Sequence, residues 1–66
     1  MTTVLARCIA RLPPPLRDVF LLVEVLRREP STVAATLGVS ARLLEARRVL
    51  SRAVVEELIR QADELS

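Results

Sequence analysis

Arginine is the side chain of this sequence best suited to bind an anionic partner. All ten cationic residues are arginine, and the chain has no lysine and no histidine. A guanidinium group binds phosphate or carboxylate through paired hydrogen bonds more effectively than an ammonium group does. The arginines therefore favour a polyanionic partner, although codon bias in a GC-rich genome would produce the same composition.

The charges are unevenly distributed along the chain. Residues 1–52 carry nine arginines against four acidic residues, a net charge of +5, whereas residues 53–66 carry one arginine against four acidic residues, a net charge of −3. The basic part attracts a polyanion and the acidic end repels it. A solvated helix face is the simplest interpretation of the acidic end, which comprises Glu56, Glu57, Asp63 and Glu64.

The sequence lacks the residues that catalysis requires. It has no histidine, lysine, tyrosine or tryptophan, no glycine-rich phosphate loop and no pair of nucleophile and base. Cys8 lies on an apolar stripe and is expected to be a small core residue, because the alternative, a reactive thiol, has no histidine to activate it. We therefore expect no enzymatic activity, no catalytic residues, no metal site and no cofactor.

A chain of 66 residues is expected to form one domain, residues 1–66, close to the lower size limit for folding on one core. A single cysteine provides no disulfide bond, so good helix packing or oligomerisation must supply stability. The lone cysteine, the arginines in the apolar N-terminal stretch and the lack of an apolar run of about 18 residues argue against secretion and a membrane span. We expect a cytoplasmic protein.

Hydrophobic spacing predicts an all-α domain of four helices. Thr2 or Thr3 can cap the first helix, prolines at positions 13–15 separate it from the second, and Ser40 can cap the fourth. The helices are expected at about residues 3–12, 15–28, 31–37 and 41–65. The inner face of the second helix is expected to comprise Leu16, Val19, Phe20, Val23 and Leu26, widened by Leu21, Leu22 and Val25.

Residues 31–50 match a helix-turn-helix motif. Gly38, the only glycine, lies between the third and fourth helices, where a left-handed backbone ends a helix at no steric cost. Ala34 is small where the two helices must approach each other, and the contact positions are apolar, namely Val33, Leu37, Val39 and Leu44. The alternative interpretation is an ordinary helical hairpin.

The sequence around this motif resembles region 4 of the bacterial sigma-70 family, especially the extracytoplasmic-function type. Two segments carry the resemblance, LPPPLRDVFLLVEV at residues 12–25 and VAATLGVS at residues 33–40. The matching residues are Leu12, Pro13, Pro14, Arg17, Asp18, Val19, Phe20, Leu21, Leu22, Val33, Ala34, Leu37, Gly38, Val39 and Ser40. The resemblance implies a four-helix, sigma-region-4-like helix-turn-helix domain, here with a long C-terminal helix.

In that family, region 4 places the second helix of the motif in the major groove of the −35 promoter element, while other faces bind RNA polymerase or an anti-sigma factor. The sequence contains no counterpart of region 2, which opens the DNA. The resemblance therefore implies a stand-alone DNA-binding transcriptional regulator, a relic, or a mimic that occupies a sigma partner, and not a complete sigma factor.

The resemblance also assigns DNA-contacting positions in the fourth helix. Positions expected to face base edges hold Arg42, Glu45, Ala46 and Val49. Arg42 could bind guanine through two hydrogen bonds, and Glu45 could accept one from a cytosine amine. Phosphates could be contacted by Arg47, Arg48 and Arg52.

This stretch is less polar than the family pattern, which leaves two alternatives open. One is that an arginine of this helix is structural and pairs with a carboxylate; the candidates are Arg47 and Arg48, with Glu24, Glu45 or a partner's Glu56. The other concerns the whole domain, which would then be a protein–protein interaction module with weak or lost DNA binding.

The fourth helix is predicted to be apolar on two sides. One side comprises Leu43, Ala46, Leu50, Ala53 and Val54, and the other comprises Leu44, Val55, Ile59 and Ala62. One side must contact the core, and a helix of about 36 Å is too long to be covered by three short helices. We therefore expect a homodimer that could place two recognition helices across a two-fold axis, with an interface of Leu50, Val54, Leu58, Ile59 and Ala62.

Overall fold

The computed structural model describes residues 3–65, with the side chain of Leu65 excepted, and this part of the chain is all-helical without a strand. The helices are α1 (Val4–Ala10), α2 (Pro14–Val19), α3 (Pro30–Leu37) and α4 (Ala41–Leu65), and α2 continues into a π-helical segment (Phe20–Val25). The predicted all-α architecture of four helices with a long C-terminal helix is confirmed. None of these helices is long and apolar enough to cross a membrane.

The N-terminal helices begin at residues that satisfy or remove backbone donors. The Thr3 hydroxyl accepts a hydrogen bond from the Ala6 N–H at 3.1 Å, which confirms Thr3 as a cap, whereas Thr2 lies outside the described residues. α1 ends at Ala10, two residues earlier than predicted, because its last turn tightens; the Leu12 N–H donates to the Ile9 carbonyl at 3.1 Å. α2 begins at Pro14, one residue earlier than predicted, where a missing N–H costs nothing.

The second helix differs from the prediction in its second half, where a continuous α-helix to residue 28 was wrong. The Leu26 N–H donates to the Leu21 carbonyl, five residues back, at 2.8 Å. This wider turn rotates the following residues away from the inner face, so Val25 and Leu26 are 47% and 56% exposed. The segment ends at Val25, and Arg27, two residues later, has a left-handed φ of 58°.

The connection between α3 and α4 follows the predicted turn. Gly38 has φ 69° and ends α3 in the left-handed conformation, and the Val39 N–H donates to the Ala34 carbonyl at 3.0 Å. The Ser40 hydroxyl accepts a hydrogen bond from the Leu43 N–H at 3.0 Å and so caps α4, as expected. α3 begins at Pro30, one residue before the predicted start, because proline suits the first helical position.

Two clusters of buried residues hold the helices together, and α4 contributes to both. The first cluster joins α1, the π-helical segment and α4 through Cys8, Ile9, Leu12, Phe20 and Val55. The second joins α2, α3 and α4 through Val19, Val33, Ala34 and Leu44. Cys8 is thus a core residue, as predicted.

α4 is covered along one face for nearly its whole length. Leu44, Ser51 and Val55 are buried on this face, and Leu58, Ile59 and Ala62 continue it as half-buried residues. The Ser51 hydroxyl is satisfied because it donates to the Arg48 carbonyl at 2.9 Å. The expectation that three short helices cannot cover the length of α4 is therefore wrong. The uncovered surface of α4 lies on its opposite face.

Candidate nucleic-acid interface

The first three turns of α4 present an outward face opposite the core. Leu44 points inward and is 3% exposed, whereas Arg42, Ala46 and Val49 are all exposed. Helical geometry puts these three residues on one face, because they are spaced by three or four residues. Three of the four positions that the sequence assigned to base edges therefore share one accessible surface.

The fourth of those positions, Glu45, is joined to Arg48 and Glu24 in one network. Arg48 Nε donates to Glu45 Oε2 at 2.9 Å, and its Nη2 lies 2.5 Å from Glu45 Oε1. The remaining nitrogen, Nη1, donates to Glu24 Oε1 at 3.0 Å. Because Glu24 belongs to the π-helical segment, the guanidinium of Arg48 connects α4 to that segment.

This network favours the charged forms of Glu45 and Arg48. The hydrogen bonds from Arg48 lower the pKa of Glu45 below its ordinary value, and those to Glu45 and Glu24 raise the pKa of Arg48. Both oxygens of Glu45 accept hydrogen bonds from Arg48, so this carboxylate already serves the ion pair, and a cytosine amine could use only its remaining lone pairs. The structure thus favours the structural alternative for Arg48 that the sequence left open.

The other arginines of the candidate set are less constrained. Arg52 Nε lies 3.4 Å from Glu56 Oε1, and both side chains are at least 60% exposed, so this ion pair is weak and exchangeable. Within residues 3–65 the structure shows no ion pair for Arg42 or Arg47. Arg42, which is exposed, and Arg47, which is half-buried, are therefore free of the carboxylate competition that Arg48 and Arg52 meet.

The outward face is otherwise apolar. Leu43, Val49 and Leu50 are 42%, 56% and 54% exposed. Of the residues predicted for a dimer interface, only Leu50 is exposed, and Ala62 is half-buried beside α1. The others pack against the first core cluster of their own chain, namely Val54, Leu58 and Ile59.

A further cation, Arg28, lies where the sequence assigned no site residue. Arg28 borders a shallow groove with Thr32 and Thr36 of α3, next to Leu22. The sequence carried no periodic signal for this placement, because Arg28 follows the left-handed Arg27, beyond the end of the π-helical segment. Among the described residues no group of His, Cys, Asp or Glu could hold a metal ion.

Comparison of this chain with models of protein families, with curated proteins and with solved structures finds no match. The resemblance to region 4 accordingly rests on the residues that carry it.

Proposed function

We propose that this chain is a DNA-binding domain of the region-4 helix-turn-helix kind that acts in bacterial transcription, in the cytoplasm. One observation carries the proposal: α3 and α4 are joined by a left-handed glycine at Gly38, and the Ser40-capped start of α4 is open to solvent. A recognition helix needs this arrangement, because its N-terminal turns must enter the major groove while its inner side packs on the domain.

The ion pairs of α4 support different roles for its arginines in this proposed function. Arg42, exposed in the first turn, would contact base edges, and Arg47 would contact phosphate. Arg52 can exchange Glu56 for phosphate, because its ion pair is exposed. Arg48, together with Glu45, orients α4 on the domain and would not contact DNA.

DNA binding can be tested by fluorescence anisotropy with pooled genomic fragments at two salt concentrations. We expect Arg42→Ala to cost about 1–3 kcal/mol and to relax preference at one position. Arg47→Ala should weaken all sequences alike and reduce the salt slope by about 1. Arg60→Ala is the matched control, because Arg60 is 67% exposed and paired with Glu57 near the far end of α4.

The proposal fails if no fragment binds the wild-type protein below about 10 μM at low salt, since ordinary non-specific binding reaches the micromolar range. It fails equally if Arg60→Ala weakens binding as much as Arg42→Ala does.

A second function is favoured by the apolar character of the same face. Leu43, Val49 and Leu50 are exposed there, and exposed apolar surface of this kind is typical of protein interfaces. In this alternative the domain binds a protein of the transcription machinery, such as RNA polymerase or an anti-sigma factor. Loss of DNA binding together with capture by purified RNA polymerase would favour it.

A further inference from the structure

The exposed apolar residues of α4 follow the spacing of a helix-pairing seam. Leu43, Ala46, Leu50 and Ala53 are separated by three, four and three residues, which is the spacing of the core positions of a coiled coil. All four are exposed, and all lie on the side of α4 away from Leu44 and Val55. Among residues 3–65 of the same chain nothing covers this seam.

Leucine and alanine alternate along the seam, and this alternation favours one orientation of a partner helix. In an antiparallel pair, Leu43 lies opposite the partner's Ala53, and Ala46 lies opposite the partner's Leu50. Every layer then combines a large and a small residue, which fills the space between closely approaching helices. A parallel pair would instead place leucine against leucine and alanine against alanine.

We propose that a second copy of this chain packs antiparallel against this seam across a two-fold axis. The antiparallel seam is self-complementary, because each leucine meets an alanine of an identical helix, and this supports a second copy as the occupant. In this register residues 41–55 of the two helices overlap, and the acidic residues that follow Glu56 lie beyond the overlap. Charge complementarity between the copies is therefore confined to the residues that flank the seam.

The flanking residues define the register of the pair. Arg42, Val49 and Glu56 are spaced by seven along one side of the seam, and all three are exposed. The antiparallel pair places Arg42 beside the partner's Glu56, with Val49 of both copies near the two-fold axis. On the other flank Arg47 approaches the partner's Arg47, and the two like charges repel each other. Because of this repulsion and the short seam, we expect weak association, with a dissociation constant of roughly micromolar or higher.

The pair covers the outward face of α4, which contains Arg42 and Val49. If that face also contacts DNA, self-association and DNA binding exclude each other, and only the monomer binds DNA. The pairing itself does not depend on the proposed function.

Sedimentation equilibrium over about 5–500 μM tests the pairing. The wild-type protein should show a concentration-dependent monomer–dimer equilibrium, and Leu50→Glu should raise the dissociation constant by about tenfold or more. Leu26→Glu is the matched control, because Leu26 is 56% exposed and Leu50 is 54% exposed, and only Leu50 lies on the seam. A thermal melt should show that both variants remain folded.

Charge reversal tests the orientation. Arg42→Glu and Glu56→Arg should each weaken dimerisation severalfold, and the double variant should recover wild-type association, because the pairs between the copies are restored. The proposal is overturned if the wild type stays monomeric throughout, if Leu50→Glu dimerises like the wild type, or if the double variant shows no recovery.

DNA binding by Leu50→Gln, which keeps the charge of the face, separates this inference from the proposed function. If Leu50→Gln binds DNA more tightly than the wild type does, the result supports competition between self-association and DNA binding. A monomeric wild type that binds DNA overturns the pairing alone, and a dimer with no DNA binding by either protein overturns the DNA-binding function alone.

Discussion

Arg48 holds the first half of α4 against the π-helical segment. Its guanidinium bridges Glu45, one turn away on the same helix, and Glu24, distant in sequence, while its side chain is 27% exposed. A planar guanidinium suits this role because it presents separate donors to two carboxylates. The orientation of the outward face therefore depends on a residue that does not belong to that face.

The Glu45–Arg48 pair makes stability depend on pH. Because the pKa of Glu45 is lowered in the folded state, the pair stabilises the protein above the ordinary pKa of a glutamate, and this contribution is lost as pH falls through the lowered value. We expect Arg48→Gln to return the pKa of Glu45 toward its ordinary value, as measured by NMR titration of the carboxyl carbons. The variant should also lose thermal stability at neutral pH and lose little at acid pH.

Glu29→Gln is the control for this titration, because Glu29 is exposed and its side chain has no hydrogen bond or ion pair in the described structure. An unchanged pKa of Glu45 in Arg48→Gln would contradict the role assigned to the pair.

A left-handed residue follows each of two helical segments, and one of these residues is a glycine whereas the other is an arginine. Gly38, with φ 69°, ends α3, and Arg27, with φ 58°, follows the π-helical segment. Glycine adopts this conformation freely, whereas a residue with a Cβ is strained there. The Arg28 N–H nevertheless donates to the Leu22 carbonyl at 2.9 Å, so this ending satisfies a helix carbonyl.

These two endings predict opposite effects of substitution. Arg27→Gly should increase the free energy of unfolding by up to about 1 kcal/mol, because it relieves backbone strain. Gly38→Ala should lower it by about 1 kcal/mol, and Gly38→Val should lower it further. A Cβ at Gly38 would meet no atom within 4 Å, so this cost comes from the backbone alone. Urea denaturation followed by circular dichroism measures all three, and an unchanged midpoint for Gly38→Val would contradict the left-handed turn.

In the whole molecule, α4 is the helix against which all the other described helices pack. α1, α2, the π-helical segment and α3 all contact it, and the domain measures 40 × 23 × 16 Å. The C-terminal part of α4 serves the first core cluster, because Leu58 and Ile59 pack against it. The acidic C-terminal part of α4 is therefore also needed to complete the core of the domain.

Removal of that part should therefore destabilise the whole domain. A chain ending at Glu57 loses Leu58 and Ile59, and we expect the free energy of unfolding to fall by more than about 3 kcal/mol, as for large truncations in a core. A chain ending at Ala62 is the control and should keep most of its stability. Circular dichroism melts compare the two, and a folded chain ending at Glu57 with an unchanged midpoint would show that α1 does not depend on α4.

Structural features that depend on interactions between residues close in sequence were predictable from the sequence. The cap at Ser40, the left-handed turn at Gly38 and the start of α2 among its prolines depend on backbone sterics and on hydrogen bonds that span a few residues. The break of α2 into a π-helical segment was not predictable, because its run of apolar residues fits an α-helix equally well. Consequently Val25 and Leu26 were assigned to the core and lie at the surface.

Hydrophobic spacing alone predicted a helical protein with a long α4 that is apolar on two sides. The packing of the helices selects which side is buried: the side of Leu44 and Val55 faces the core, and the side of Leu43 and Leu50 faces solvent. It also decides that Arg48 pairs with Glu24, a residue 24 positions away. Both outcomes depend on which elements pack against α4, and the periodicity of one helix specifies its apolar sides without specifying its neighbours.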